Sequence, residues 1–373
     1  MGPGVFGDLG AHVSPLGAKP LIVTGRQSAR ATGMLDTALA MLPKAQVFDQ
    51  VDENPAVTLC DAGAAFCREH GCDCIVALGG GSPMDAAKAI ALLATNPGEC
   101  TAYFGKAEFD APPLPIIAVP TTAGTGSEVT PYAVLVDKAG QRKNTLRGTQ
   151  LFPRVALLDP QLSVTMPRHV TISTGLDALS QAMEGMLSLK STAVGDVFAL
   201  EICRLVKRWL PRAADAPDDL EARARMLQAA MLSGCVIAQS GTTLVHGAGY
   251  YFTLEFGVAH GLANALLLPP VFCHNARYEP KKVASLANVL GRPAGDDPEE
   301  AGAGVANALH ELFEELGVSP AARDAGVAED RLRWCAEDLH GDPYRFKNQV
   351  GEFTVDDVHD MFEDAFHGRI GMV

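Results

Sequence analysis

Over the first 160 or so positions, short apolar runs alternate with segments of helical period. Leu21-Ile22-Val23, Gln46-Val47-Phe48, Cys74 to Leu78, Pro115 to Val119 and Val155 to Leu158 read as strands, each a brief, largely apolar run bounded by turn residues. Between them, Met34 to Leu42, Val57 to His70 and Met84 to Leu93 carry apolar residues at helical spacing. This alternation predicts a mainly parallel sheet with helices on both faces, because a strand that is apolar throughout must be covered twice. Ligands of such sheets sit at the carboxyl ends of the strands. One β-hairpin is expected, pairing Tyr132 to Val136 with Arg142 to Leu146 across Lys138-Ala139-Gly140.

After Asp159-Pro160 the strand signal stops. From Pro167 the segments are longer and helical in period: Ser173 to Leu189, Val194 to Leu210, Leu220 to Gln239, a run from Ser233 to His246, and Val305 to Leu316. The chain therefore divides into an α/β domain, residues 1–162, and an all-helical domain, residues 163–373. Arg292 to Glu300, rich in glycine, proline and acid, reads as a solvated loop.

At 373 residues the chain exceeds what one hydrophobic core holds, which agrees with two domains. With 30 basic against 44 acidic residues, a net charge of −14 and no Lys/Arg run, nucleic acid is not an expected partner. No apolar stretch reaches the ~18 residues of a membrane span, and the N-terminus lacks a signal-peptide pattern, so the expected location is the cytoplasm. The nine cysteines form no zinc-type CxxC pairs and are read as reduced packing residues, with Cys72 and Cys74 at the start of a buried strand.

The chemistry begins at the third strand, which runs into Gly79-Gly80-Gly81-Ser82-Pro83-Met84-Asp85 and then directly into a helix. Glycines let the backbone approach a pyrophosphate, and a helix start offers free N–H groups with partial positive charge. Gly80, Gly81, Ser82 and Asp85 are therefore candidate cofactor contacts. A glycine run alone marks many turns; its place between strand and helix is what points to a phosphate. The next strand ends in Pro120-Thr121-Thr122-Ala123-Gly124-Thr125-Gly126-Ser127-Glu128. Thr121, Thr122, Thr125 and Ser127 put further donors at the same sheet edge, and two such loops on successive strands favour a nucleotide over a capped turn.

Gly79 to Asp85, Pro120 to Glu128, Leu157-Leu158-Asp159-Pro160, Gly175-Leu176-Asp177-Ala178 and His246 to Gly261 resemble, in order and spacing, the iron-containing (group III) alcohol dehydrogenase family. The likeness spans nearly the whole chain and implies the dehydroquinate synthase-like architecture, an α/β dinucleotide-binding domain followed by a helical metal domain. One departure is at the start, where the short strand that usually precedes the segment matching Gly2 to Gly10 is missing. The resemblance also implies cofactor contacts at Asn54 and at Lys143, near the nicotinamide ribose. Where NAD-using members tend to carry an aspartate after the first strand, this chain reads Thr24-Gly25-Arg26-Gln27-Ser28. Gly25 leaves room for a 2′-phosphate and Arg26 or Ser28 could bind it, so NADP(H) is expected over NAD(H).

Asp177 and Gln181 share one helix face by their spacing. With His246 and His260 they match the four family ligand positions, which the resemblance implies hold Fe²⁺ or Zn²⁺. Two imidazoles and a carboxylate suit non-haem Fe(II) with positions open to substrate. The family pattern is one Asp and three His, and here Gln181 replaces the second ligand. Even outer-shell changes typically cost about 10- to 100-fold in metal affinity. His246, His260 and Tyr250, which stands where many members have a further histidine, are the candidate catalytic residues.

The expected function is an NAD(P)H-dependent alcohol dehydrogenase working mainly as a reductase of a small aldehyde, with a divalent metal polarising the carbonyl. The two reactants would meet in a cleft between the domains. Alternatives are a metal-independent carbonyl reductase, raised by Gln181, and an inactive nucleotide-binding protein. The apolar, small-residue segment Leu262 to Leu268 points to helix packing and a homodimer.

Overall fold

The computed structural model describes residues 1–137, 140, 142–369 and 371, with Arg142 described by its backbone only. Two compact units result: Met1–Met166 together with Asp218–Leu227, and Pro167–Pro217 together with Gln228–Val373.

In the first unit, α1 (Leu9–Val13), β1 (Pro20–Gly25), α2 (Ser28–Ala31), α3 (Met34–Met41), β2 (Gln46–Val51), α4 (Val57–Glu69), β3 (Cys74–Gly79), α5 (Gly81–Thr95) and β4 (Ile116–Pro120) keep the expected alternation, to which the short helices α1 and α2 are additions. The hairpin strands β5 (Tyr132–Asp137) and β6 (Arg142–Arg147) and the short β7 (Val155–Ala156) follow. The main sheet is all parallel, in the order β2-β1-β3-β4-β7. Successive side chains of its central strands enter two different cores. Leu21, Val23, Ile75, Ala77, Ile116 and Ala118 pack with α4 and α5, whereas Ile22, Val76, Leu78, Ile117 and Val119 pack with α1 to α3. Both faces are thus dry, which is why these strands show no polar alternation. Each such valine, leucine or isoleucine side chain contributes roughly 1.5–3 kcal/mol when fully buried.

β5 and β6 pair antiparallel in the register Tyr132↔Arg147 to Asp137↔Arg142. Of the expected connection, Lys138 and Ala139 lie outside the described residues. β7 keeps only two residues of the run expected to end at Leu158, because the chain turns into a short 3-10 helix capped by Asp159, whose Oδ1 accepts from Gln161 N.

The second unit is helical: α6 (Arg168–Leu187), α7 (Ala193–Asp215), α8 (Leu220–Ser240), α9 (Leu244–Phe256), α10 (His260–Asn275), α11 (Pro280–Val289), α12 (Pro298–Leu316), α13 (Leu332–His340) and α14 (Val355–His367). The first residues of α8, through Leu227, group with the other unit. α6 is buried without interruption from Gly175 to Leu187 and packs against α7 and α10. The run expected from Ser233 to His246 is broken, since α8 stops at Ser240, Gly241 adopts φ +66°, and a new helix begins at Leu244. A left-handed glycine ends a helix because it closes the last turn without a Cβ clash. His246 consequently lies in the first turn of α9 and not at the end of a helix. The expected loop Arg292 to Glu300 is shortened too: Asp297 accepts from Glu300 N, Pro298 occupies the first turn, and α12 starts there. Among the described residues, no helix is long and apolar enough to cross a membrane.

Candidate active site

At the carboxyl edge of the sheet the two loops read from the sequence lie against each other. A Cβ on Gly80 would come within 3.0 Å of Thr122 Oγ1, and one on Gly81 within 2.8 Å of Thr125 Cγ2. The glycines therefore let the threonines of the second loop reach the backbone of the first. Thr121 N donates to Gly79 O at 3.0 Å, joining the loops where the strands end. α5 starts at Gly81, so its first amides open at this point. Asn54 arrives from the loop after β2 in a left-handed conformation, φ 55°. Its N–H donates to Ser82 Oγ at 3.3 Å, and its Oδ1 accepts from Lys143 Nζ at 2.8 Å. Asn54, Ser82 and Lys143 are thereby brought together. These features fit a dinucleotide: helix amides and a hydroxyl for a pyrophosphate, and an amide with a cation beside it.

Gly25 ends β1, Ser28 is exposed at the start of α2, and Arg26 is exposed. The Arg26 guanidinium is bound in two-pronged fashion by Asp52, just beyond β2, through Nε and Oδ1 and through Nη2 and Oδ2 at 2.9 Å. Asp85 turns its carboxylate to protein groups: Oδ1 accepts from Ser127 Oγ at 2.8 Å and Oδ2 from Val134 N at 3.0 Å. Beside it Lys88, fully buried, donates to Ser127 Oγ at 2.8 Å, Thr130 Oγ1 at 3.0 Å and Tyr132 O at 2.7 Å. Burial pushes the Lys88 ammonium down to about 8 against the pull of Asp85 and Glu128. Burial likewise raises the Glu128 carboxyl to about 7. Asp85, Lys88 and Ser127 clamp the second loop and the hairpin to α5.

In the helical unit, Asp177 and Gln181 stand one turn apart on α6, as their spacing requires. His246 Nε2 lies 3.4 Å and His260 Nε2 3.9 Å from Asp177 Oδ1, and the three ligand atoms lie within 4.8 Å of one another. His260 opens α10, which can approach α6 this closely because the next residue is glycine. A Cβ on Gly261 would stand 1.8 Å from the Ser173 carbonyl oxygen and 2.9 Å from Asp177 Cβ. Asn264, one turn along α10, donates to Asp177 Oδ1 at 3.2 Å and lies 3.3 Å from His260 Nε2. Tyr250 stacks on the His260 ring, centroids 5.4 Å apart and 13° between planes, with the Arg345 guanidinium 5.3 Å from its own ring.

The sequence reading missed Glu184. It is fully buried on the Asp177 face of α6; its Oε1 takes a short contact from His246 Nδ1, and its Oε2 accepts from Thr243 N at 2.8 Å, Thr243 Oγ1 at 2.9 Å and His246 N at 3.2 Å. One carboxylate thus caps the start of α9 and holds the proton of His246 on Nδ1, leaving Nε2 to face Asp177. Burial disfavours the imidazolium, but Glu184 and Asp177 outweigh it and push His246 up to about 10. The same imidazoles hold Asp177 below its ordinary value against the cost of its burial. A signal for Glu184 existed: it lies seven positions after Asp177, on the same helix face, in an otherwise apolar stretch.

A buried carboxylate with two converging imidazoles, one with its far nitrogen tied down, fits a divalent cation of the Fe(II) or Zn(II) kind. Gln181 is set differently: its Nε2 donates to Asp177 Oδ2 at 3.1 Å and its Oε1 accepts from Ser233 Oγ at 2.8 Å. Among the described residues one other group, Glu329, Glu363 and His367, comes as close together, but Glu329 is exposed and the other two are only half-buried.

Residues 1–160 match the model of the iron-containing alcohol dehydrogenases, and residues 171–366 match the C-terminal model of the Fe-containing alcohol dehydrogenase family. The NAD-dependent methanol dehydrogenase of Bacillus methanolicus is 30% identical over 370 residues, 98% of this chain and 97% of that protein. The 1,3-propanediol dehydrogenase of Citrobacter freundii is 32% identical, covering 98% of this chain and 96% of that one. The crystal structure of a 1,3-propanediol oxidoreductase superposes with a TM-score of 0.92 at 32% identity, over 98% of this chain and 96% of the other.

Proposed function

The chain belongs to the iron-containing alcohol dehydrogenase family, and from that premise we propose that it interconverts a small aldehyde and its alcohol, chiefly as an NADP(H)-linked reductase. Members of this family are oxidoreductases that use a nicotinamide cofactor and a divalent metal. The observation that carries the reading is the convergence of buried Asp177 and His246 and half-buried His260 on one point. When bound, the nicotinamide supplies or accepts the hydride and the cation polarises the substrate oxygen.

The protein's own groups do the rest. Glu184 holds Nδ1 of His246 and so turns Nε2 towards Asp177, as the atom a cation would take in exchange for its proton. Asn264 and Gly261 hold Asp177 and His260 in register. To Tyr250, which stacks on the His260 ring, we assign the lining of the substrate pocket or the passing of a proton to the substrate oxygen. Gly80, Gly81, Ser82, Asn54, Lys143 and the threonines of the second loop take the dinucleotide. The preference for NADP(H) rests on Gly25, Arg26 and Ser28, and here Arg26 already holds Asp52, so a 2′-phosphate has to draw the guanidinium away from a carboxylate. Nine free thiols fit a reducing compartment such as the cytoplasm.

A second reading, carbonyl reduction without a cation, is favoured by the hydrogen bond from Gln181 to Asp177. One experiment separates the two. Protein purified without oxygen is assayed for NADPH and NADH oxidation against a panel of short aldehydes, then after chelation, then after addition of Fe(II) or Zn(II). Loss on chelation with recovery by one metal is the expected result. Activity indifferent to chelation replaces it with the second reading, and no oxidation with any aldehyde overturns both.

A further inference from the structure

Gln181 stands where the family likeness sets a metal ligand, yet its amide nitrogen points at Asp177. The surrounding hydrogen bonds explain how both facts hold. Gln181 and Ser233 are both buried. Ser233 Oγ lies 2.8 Å from Gln181 Oε1 and also 2.8 Å from the carbonyl oxygen of Ala230, one turn back on α8. A hydroxyl has one proton, so it donates to one of these oxygens at a time, while its lone pairs let it accept from a third group. A carboxamide is nearly symmetric in shape, and a half-turn about its last torsion exchanges oxygen and nitrogen without moving a carbon. With the amide turned, Ser233 donates to Ala230 O and accepts from Gln181 Nε2. The amide oxygen then faces Asp177 Oδ2, and a cation held by Asp177 and the imidazoles would relieve the repulsion between the two oxygens.

We propose that Gln181 is a two-position group whose turned amide is an oxygen donor to the divalent cation, with Ser233 as the residue that accommodates either orientation. Turning the amide also removes the N–H that competes with a cation for Asp177. A donor set with two side-chain oxygens and two imidazoles is harder than one with three imidazoles, so the site leans towards Fe(II) and Mn(II) at the expense of Zn(II). Gln181 in this role is a ligand chosen by its neighbour Ser233 and not a remnant of a lost site.

The inference rests on the reading that Asp177, His246 and His260 hold a cation, and affinity measurements separate the two. Co(II) and Zn(II) are titrated against a chromogenic chelator into the wild type, Gln181→Leu, Ser233→Ala, Gln181→His and His246→Ala, with circular dichroism to check folding. An oxygen donor at Gln181 makes Gln181→Leu bind at least 10-fold more weakly and Ser233→Ala a few-fold more weakly, while Gln181→His binds Zn(II) more tightly. An amide that only competes for Asp177 reverses the first two signs: both variants then bind as tightly as wild type or more so, and the inference is overturned. Ser233→Ala, a small change inside a helix, keeps the test decisive where Gln181→Leu folds poorly. If the wild type binds no Co(II) or Zn(II) that His246→Ala abolishes, the cation reading itself fails and the inference with it.

Discussion

The two candidate sites are built in opposite ways. The cofactor edge of the α/β unit is made largely of backbone and small residues in contiguous loops, where Gly80 and Gly81 take Thr122 and Thr125 against their own main chain. The metal face of the helical unit is made of single side chains from α6, α9 and α10, far apart in sequence and aligned by a buried carboxylate and one glycine. A loop of glycines and threonines can lose one donor and keep its shape. A face of single side chains has no such reserve, so damage there should be sharper and more local.

Gly261→Ala tests this most severely. Its methyl would stand 1.8 Å from the Ser173 carbonyl oxygen, so α10 must back away from α6 and carry His260 with it. Overpacking of this kind costs about 1–3 kcal/mol or more; loss of bound metal together with a lowered denaturation midpoint is the expected outcome, and full metal content would contradict it. Glu184→Gln comes next. It keeps the shape but removes the charge that fixes His246 and caps α9, so metal affinity should fall about 10- to 100-fold with cofactor affinity unmoved. A parallel drop in NADPH binding, followed by fluorescence titration, would show that the two sites are not separable in this sense.

On the cofactor side the effects should be graded. Asp52→Asn leaves Arg26 without its carboxylate and should shift the ratio of NADPH to NADH dissociation constants towards NADPH by about tenfold, or 1.4 kcal/mol. An unchanged ratio would remove Arg26 from the 2′ position. Glu128→Gln is the mildest. Burial raises its carboxyl from an ordinary 4.5 to about 7, so between these values the folded protein keeps a proton that the unfolded chain releases. Stability contributed by the neutral form is therefore lost as pH rises through that window. The glutamine variant cannot titrate and should be more stable than wild type above pH 7 by about 1–2 kcal/mol, with a flatter urea-midpoint profile from pH 5 to 7. Equal slopes would rule this out.

Much of this was legible in the residue order. The strands β1, β3 and β4 show as short apolar runs because both their faces are dry, and the glycine and threonine loops show because a site made of backbone is contiguous in sequence. The family likeness pointed to Asp177, Gln181, His246 and His260, and α6, α9 and α10 bring them together. The break after Ser240 was only half legible: the segment Leu220 to Gln239 ends beside it, but Val236 to Val245 keeps enough apolar residues for a run to His246, and the left-handed Gly241 with the Glu184 cap on Thr243 and His246 starts the new helix.

The sequence by itself determined the alternation of strands and helices, the place of the two loops and the residue types at the candidate metal face, because these follow from local periodicity and from which atoms can donate. Tertiary structure alone decided which partner each polar side chain takes. Arg26 meets Asp52, Lys88 is wholly buried among Ser127, Thr130 and Tyr132, Asp85 turns to Ser127, and Glu184 holds His246. Such pairings join residues distant in the chain, and a buried polar atom is satisfied by whatever packing sets within about 3 Å of it, which no local pattern encodes.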